Sequence, residues 1–211
     1  MINKPSYLKH AIVLFLLLLL MQPGRAWAAY ENVEFSSLTN HDGLTNSQVG
    51  AILKDTRGYI WFGTQSGLCR FDGFRMKTFY YSNTDDKSLP NNSVDELQQD
   101  YDGNIWVHTS VGYSIYKYDE EQFDRKPEEW LKSIHVQGPP FKLLIDKDKN
   151  MWIAVYGQGL YYHNAKTRNT YLFKFTKKAQ KGCLKEGNIS KITEVDGDAL
   201  ITYSDGTLCR V

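Results

Sequence analysis

The chain carries short apolar runs that are separated by polar turns. In the segment "DTRGYIWFGTQSGL", which begins at Asp55, a polar turn precedes an apolar run around Trp61 and a glycine turn follows it. Apolar residues on both sides of Trp61 indicate a strand that is buried on both faces, as a sheet packed between two neighbours requires. For this part of the chain we predict four strands, at 49–53, 60–64, 68–71 and 76–80.

The same pattern of acid, aromatic residue and glycine returns along the chain. An acidic residue lies six positions before Trp61, Trp106 and Trp152, and six positions before Leu200 in a degenerate copy. A glycine follows each of these positions after six or seven residues. These turn glycines are Gly67, Gly112, Gly159 and Gly206. The tryptophans are 45 and 46 residues apart. A repeat of this length with four short strands is typical of a β-propeller blade, and the absence of a 3.6-residue periodicity argues against helical solenoids.

The sequence therefore predicts an all-β fold of about four four-stranded antiparallel β-propeller blades. Their predicted limits are 39–83, 84–134, 135–180 and an incomplete 181–211. The charged segment 120–138 fits the repeat poorly, and we expect an outer strand followed by a loop or a single helical turn. Residues 34–38 have the pattern of a strand that completes the last blade of a ring. This strand would either close a four-bladed disc or pair with a missing blade; we favour the second reading, an incomplete propeller with open ends.

The N-terminus has the pattern of a secretory signal peptide. Lys4 and Lys9 precede an apolar run at 11–21, and Ala26-Trp27-Ala28 matches a small-x-small cleavage site. The run is too short to span a bilayer of about 30 Å as a helix. We predict that residues 1–28 are a signal peptide and that the chain is exported.

Composition narrows the possible partners. The formal net charge is +1 and no basic stripe occurs, so a nucleic-acid partner is not expected. The three cysteines, Cys69, Cys183 and Cys209, are too few for a disulfide scaffold and read as small buried residues.

The repeated motif resembles that of a known family. The pattern D-x-x-G-x-[IM]-W-[IVF]-G-T-x-x-G-L, with "HDGLTNSQV" ahead of it, resembles the two-component regulator propeller repeats of Bacteroidetes, over residues 35–211. The chain departs from the pattern at His108 and Ala154, where a glycine is usual, and at Leu200, where the Trp is missing. The resemblance implies the N-terminal part of the periplasmic sensor of a hybrid two-component system. It also implies an oligosaccharide ligand, a histidine kinase and phosphorelay outside this chain, and a dimeric parent anchored in the inner membrane. Further propeller blades or a second copy of the sensor are the protein partners expected.

No H-E-x-x-H, C-x-x-C, G-x-S-x-G or phosphate-binding glycine loop occurs in the sequence. We therefore expect a non-enzymatic chain with no cofactor and no metal. "DKDKN" at Asp146 begins like a calcium loop, but Met151 occupies the turn-glycine position and Gly157 the place of the bidentate Glu, so we read it as a hairpin turn. Scattered carboxylates also fall in predicted turns. Two alternatives to a sensor remain: a hydrolase or lyase acting on glycans, and a protein-interaction scaffold.

Strand direction predicts which residues face a ligand. The turns between second and third strands share one face of the propeller with the loops that enter each blade. The candidate ligand-binding residues on this side are His108, Gln65, Ser110, Tyr156, Gln158 and Asp205. Amide, hydroxyl and aromatic groups suit sugar hydroxyls and apolar sugar faces. For His108 we weigh a ligand contact against a histidine that is hydrogen-bonded to a neighbouring carbonyl.

Overall fold

The computed structural model describes residues 37–176, 184, 185 and 187–211, and its second compact unit runs from Leu38 to Val211. The predicted signal peptide, most of segment 34–38 and Cys183 lie outside the described residues. Within those residues, no helix is long and apolar enough to cross a membrane.

The unit is built from four antiparallel sheets, each of which pairs its strands in chain order. The first sheet contains β1 (Val49–Lys54), β2 (Ile60–Thr64), β3 (Gly67–Phe71) and β4 (Met76–Phe79). The second contains β5 (Val94–Gln99), β6 (Ile105–Thr109), β7 (Gly112–Lys117) and β8 (Gln122–Asp124). The third contains β9 (Pro140–Ile145), β10 (Met151–Val155), β11 (Gly159–His163) and β12 (Thr170–Lys174). The fourth contains β13 (Ile189–Val195), β14 (Asp198–Tyr203) and β15 (Leu208–Arg210).

This arrangement is that of β-propeller blades, so the predicted fold class is confirmed. The four predicted strands of the first blade are present, and β1, β3 and β4 differ from their predicted limits by one residue each. In the irregular segment the outer strand β8 is followed by helix α1 (Pro127–Ser133). Its seven residues make about two turns, one more than the sequence suggested, and Pro127 begins it in the position where a missing N–H costs nothing.

The repeated acidic residue holds the first hairpin of each blade. Asp55 Oδ1 accepts hydrogen bonds from the backbone N–H groups of Arg57 and Tyr59, both at 2.9 Å. Its Oδ2 accepts the indole N–H of Trp61 at 2.7 Å. One buried carboxylate therefore fixes both the turn and the orientation of the Trp61 ring on the next strand. This double contact explains the six-residue spacing between the acidic residue and the Trp.

The second blade keeps the hydrogen bond between the acidic residue and the Trp, whereas the third blade lacks it. Asp100 Oδ2 accepts the indole N–H of Trp106 at 2.9 Å, as in the first blade. Burial raises the pKa of Asp100, and the hydrogen bond from Trp106 opposes that rise. In the third blade Asp146 still caps its turn, but its Oδ2 accepts from the side chain of Asn150 at 3.0 Å. The indole nitrogen of Trp152 is buried without a hydrogen-bond partner.

The turn glycine of the first blade lies where there is no room for a side chain. Gly67 adopts a φ of +132°, and a Cβ there would lie 2.9 Å from the carbonyl oxygen of Phe79 on the outer strand. A side chain at this position would therefore meet backbone that cannot move aside, besides straining its own backbone.

Hydrophobic clusters lie between consecutive blades. Trp61 is in the cluster between the first and second blades, Trp106 in that between the second and third, and Trp152 in that between the third and fourth. Their exposed fractions are 0%, 1% and 4%, so each Trp is a core residue of a blade interface.

We expect Trp61→Ala to lower the free energy of unfolding by about 3–5 kcal/mol, because the ring is fully buried and its removal leaves a cavity. Chemical denaturation followed by fluorescence or circular dichroism measures the loss. Phe74→Ala is the control, since Phe74 is 95% exposed and should change stability little. An unchanged unfolding midpoint for Trp61→Ala would contradict the blade packing.

A second prediction isolates the indole hydrogen bond. Trp106→Phe and Trp152→Phe remove similar volume, but only the first also deprives a buried carboxylate of a donor. Trp106→Phe should therefore be the more costly by about 1–3 kcal/mol in the free energy of unfolding. Equal losses for the two variants would show that the Asp–Trp bond contributes nothing to stability.

The turn at Asp146 generates a third prediction. Its carboxylate is occupied by the N–H groups of Asp148 and Asn150 and by the Asn150 amide, as in a hairpin turn. A chelator such as EDTA should leave the β signal in circular dichroism and the melting temperature unchanged. A clear fall in either would overturn the hairpin reading of this segment.

Candidate functional site

A groove of about 330 Å³ opens between the second and third blades. β6 and β7 supply His108 and Tyr113 from one side, and β9 with the turn after β10 supplies Phe141 and Tyr156 from the other. Glu128 of α1 lies at the rim. The groove therefore combines aromatic surface with polar side chains from two blades.

Two aromatic rings form one wall of the groove. Phe141 and Tyr156 stack with ring centroids 4.1 Å apart and an interplanar angle of 26°. Tyr156 is 68% exposed, which is unusual for an aromatic side chain that has a stacking partner. The same two rings also line a second depression of about 330 Å³, which reaches Phe175 and Asn188. The stacked pair is thus a wall shared by two adjoining depressions.

His108 lies at the groove and is hydrogen-bonded to an acidic side chain. Its Nδ1 is 2.6 Å from a carboxylate oxygen of Asp95, and its ring centroid is 4.4 Å from that of Tyr113. The neighbouring acceptor is therefore a carboxylate, and the alternative expectation of a backbone carbonyl partner was wrong.

The position of His108 is closed in the first blade. A Cβ on the equivalent Gly63 would lie 2.6 Å from Val94 Cγ1, so the contact between the first and second blades admits only glycine there. Between the second and third blades there is room for an imidazole ring, and that room is part of the groove.

A polar link between the second and third blades begins at Tyr113, which lines the groove. The hydroxyl of Tyr113 donates to Glu96 Oε2 at 3.0 Å and accepts the backbone N–H of Leu143 at 3.0 Å. Glu96 also accepts a hydrogen bond from the ammonium group of Lys142. Burial, with the nearby Glu96 carboxylate, raises the pKa of Tyr113 far above its ordinary value. Tyr113 therefore stays protonated and keeps donating at any physiological pH.

The sequence-predicted ligand residues do not all meet at this groove. His108 and Tyr156 both line it. Gln158 lies beside it with its amide engaged: the NH₂ donates to the carbonyl of Gln137 at 2.7 Å, and the oxygen accepts from the hydroxyl of Tyr161.

The other three predicted residues lie elsewhere. Gln65 accepts from the hydroxyl of Ser93 at 2.9 Å, and the backbone N–H of Ser110 donates to the carbonyl of the same serine at 3.3 Å. Asp205 is paired with Lys185, and this hydrogen bond lowers the pKa of Asp205. The side chains of Gln65 and Asp205 and the backbone of Ser110 help to hold loops at blade entries, and none of the three residues is in the groove lining.

Sequence reasoning missed Phe141 and Tyr113. Phe141 follows "GPP" at 138–140, and the two prolines in that loop were the signal that could have drawn attention to it. Tyr113 follows the turn glycine of its repeat, at a position where the first and third blades have leucine.

A larger cavity of about 420 Å³ lies where the inner strands of the four blades converge. Its polar lining includes Glu96 and Lys142, which are paired with each other, and Ser190, whose hydroxyl donates to the carbonyl of Thr202. The groove is the stronger candidate site, because it offers an exposed aromatic wall that the central cavity lacks in its lining.

Comparison with known proteins agrees with this description. Residues 43–66 and 88–110 match the Two component regulator propeller family. A segment of 61 residues is 41% identical to Histidine kinase P4 of Formosa agariphila, covering 29% of this chain and 4% of that protein.

Among solved structures, the extracellular domain of a protein named as a hybrid two component system of Bacteroides thetaiotaomicron is similar. Its TM-score is 0.58 at 24% identity, over 83% of this chain and 25% of that one. The extracellular domain of a protein named as a one component system of the same organism has a TM-score of 0.54 at 15% identity, over 84% of this chain and 26% of that one. At these identities the likeness shows the fold alone.

The chain spans only about a quarter of these solved structures and 4% of the curated relative. The family match covers the first two of the repeats that the sequence pattern identified, including Trp61 and Trp106. The resemblance drawn from the motifs is confirmed for these two repeats, which match the Two component regulator propeller family.

Proposed function

We propose that this chain is part of the periplasmic sensor of a hybrid two-component system and binds an oligosaccharide in the groove between its second and third blades. The observation that carries the proposal is the stacked Phe141–Tyr156 wall, in which Phe141 is half-buried and Tyr156 is 68% exposed, with polar groups around it. The family of the repeats supports the sensor role, while the ligand class rests on the chemistry of the groove.

The aromatic wall suits a sugar because a pyranose ring has an apolar face of C–H groups. An exposed aromatic ring stacks on such a face, and its own stacking partner keeps it in place without a loss of side-chain freedom on binding. Since the Phe141–Tyr156 pair lines two depressions, the wall can contact successive units of a linear oligosaccharide.

The polar groups around the wall suit sugar hydroxyls. His108 contacts Asp95 through Nδ1, so its other ring nitrogen, Nε2, is not used in that contact. Glu128 adds a half-buried carboxylate to the groove lining. Paired donors and acceptors of this kind satisfy a hydroxyl, which needs both.

Among the described residues that line the groove, Glu128 alone carries a carboxylate, and the two acidic side chains bound to His108 and Tyr113 are engaged; both facts favour binding over hydrolysis or elimination. Asp95 is paired with His108, and Glu96 is held by Lys142 and Tyr113. A glycosidase needs two carboxyl groups that face the scissile bond, one of them a free acid and the other a base or nucleophile. Neither Asp95 nor Glu96 is placed for such a role. The histidine kinase that would receive the signal, the membrane anchor and the dimeric state belong to the proposed parent.

The test is calorimetric titration of the chain with short oligosaccharides released from plant, host and microbial polysaccharides. We expect saturable binding of one class and no new reducing or unsaturated ends. Binding with turnover would favour the enzyme alternative, and no binding across the panel would favour the interaction scaffold.

Tyr156→Ala should weaken that binding by about tenfold or more, which corresponds to about 1.4 kcal/mol, while leaving the melting temperature unchanged. The matched control is Tyr171→Ala, since Tyr171 is also an exposed tyrosine of the third blade, 53% exposed on β12, but lies outside the groove. Equal affinities for the two variants would place the ligand somewhere other than at the aromatic wall.

A further inference from the structure

Arg125 is a charged residue of the groove lining whose positive charge meets no carboxylate. It directly follows β8, is half-buried, and lines the groove together with His108 and Tyr156. The arginines that form ion pairs are Arg57, Arg70, Arg168 and Arg210. Since Arg75 is exposed to solvent, Arg125 is the one half-buried arginine without an acidic partner in the part of the chain that the structure describes.

Neutral oxygen atoms of loop 82–89 hold the Arg125 side chain in place. Its Nε donates to the carbonyl of Ser88 at 3.0 Å, and its Nη2 donates to the hydroxyl of Ser88 at 2.6 Å and to the carbonyl of Asp85 at 2.9 Å. Nη2 also lies 3.2 Å from two further carbonyls of the same loop. The carboxylate of Asp85 accepts the backbone N–H of Lys87 instead. These contacts fix the guanidinium group without neutralising its charge.

One edge of the guanidinium group is left for a ligand. Its Nη1 makes no hydrogen bond with any residue that the structure describes, whereas Nε and Nη2 are both engaged. A guanidinium group that is already fixed binds a further partner with little loss of side-chain freedom. Arginine forms strong, charge-assisted hydrogen bonds with carboxylates and similar oxyanions. An anion in the groove would also provide the counter-charge that the half-buried Arg125 lacks.

We propose that the oligosaccharide bound in the groove is acidic and that Arg125 binds its carboxylate or sulfate group. This inference rests on the proposed function, because it names the class of ligand for the same groove. Arg125 and the Phe141–Tyr156 wall line one groove of about 330 Å³, so a short oligosaccharide can contact both. The wall then stacks on a sugar face while the guanidinium group binds the acidic substituent.

Glu128 gives such a ligand a preferred orientation. It lines the same groove, is half-buried, and forms no ion pair with Arg125 or with any other described residue. The other carboxylate at this place, that of Asp95, is hydrogen-bonded to His108. Two opposite charges that do not neutralise each other attract the acidic group of a ligand to Arg125 and repel it from Glu128. Complementarity of this kind fixes the register of a ligand.

Calorimetric titration of the unaltered chain with matched pairs of oligosaccharides tests the role of charge. One pair is a uronic-acid oligosaccharide and its carboxyl-reduced form, and the other is a sulfated oligosaccharide and its desulfated form. We expect the acidic member of one pair to bind more tightly than its neutral form by about tenfold or more, with an affinity that falls as the salt concentration rises. The pair that shows the difference identifies the acidic group as a carboxylate or a sulfate.

The outcomes separate this inference from the proposed function. Equal affinities within each pair, or tighter binding of the neutral members, would overturn the acidic ligand and leave an oligosaccharide sensor intact. No binding of any oligosaccharide, acidic or neutral, would contradict both.

Charge-removing variants then test the two residues. Arg125→Gln should lower the ratio of the affinities for the acidic and neutral members to about one, whereas Glu128→Gln should raise this ratio. The ratio is measured within one variant, so a loss of stability from the weakened contacts with loop 82–89 does not alter it. Arg75→Gln is the matched control, because it removes a positive charge from an exposed position outside the groove lining and should keep the ratio of the unaltered chain.

An unchanged ratio in Arg125→Gln would overturn the role of Arg125. A lower ratio in Glu128→Gln would also contradict the proposal, and this second variant leaves the loop contacts of Arg125 in place.

Discussion

In the first two blades, the carboxylate that precedes the Trp by six residues connects the local structure of the blade with the packing between blades. Asp55 and Asp100 each end an inner strand, cap the turn that follows and accept the indole N–H of the Trp on the next strand. A Trp ring in a blade interface would otherwise bury an indole N–H, at a cost of about 1–3 kcal/mol. Because turn and ring share one acceptor, the hairpin and the interface form together.

This constraint explains why so much of the fold could be predicted. The acidic residue caps the first turn, the Trp packs in the blade interface, and the glycine allows the second turn. Their spacing in the sequence matches the register of β1, β2 and β3. The length of α1 was harder to predict from the sequence. Pro127 allows a helix to begin, but the second turn depends on burial of Leu131 in the cluster between the second and third blades, which is a tertiary contact.

The candidate site was only partly predictable, since it depends on departures from the repeat. His108 was identified because it replaces a glycine, and the tight contact at Gly63 shows why that replacement requires a looser interface. Phe141 could not be identified in this way. Its importance comes from stacking on Tyr156, a residue of another strand's turn, and no spacing in the sequence encodes that pairing. Conversely, Gln65 and Asp205 had suitable chemistry, but their hydrogen-bonding groups are engaged by Ser93 and Lys185.

The placement of the groove has a consequence for the proposed sensor. The hydroxyl of Tyr113, a residue that lines the groove, joins Glu96 of the second blade to the backbone of Leu143 in the third. A ligand held between His108 and Tyr156 contacts both blades, so its binding energy acts on the relative position of the two blades. A ligand shifts an equilibrium only by its differential affinity for two states, and a site shared by two packed bodies provides that difference more readily than a site on one of them. Under this mechanism the polar link through Tyr113, rather than the apolar clusters, carries the coupling. Hydrogen bonds depend on direction and weaken with small displacements, whereas dispersion contacts are less sensitive to them.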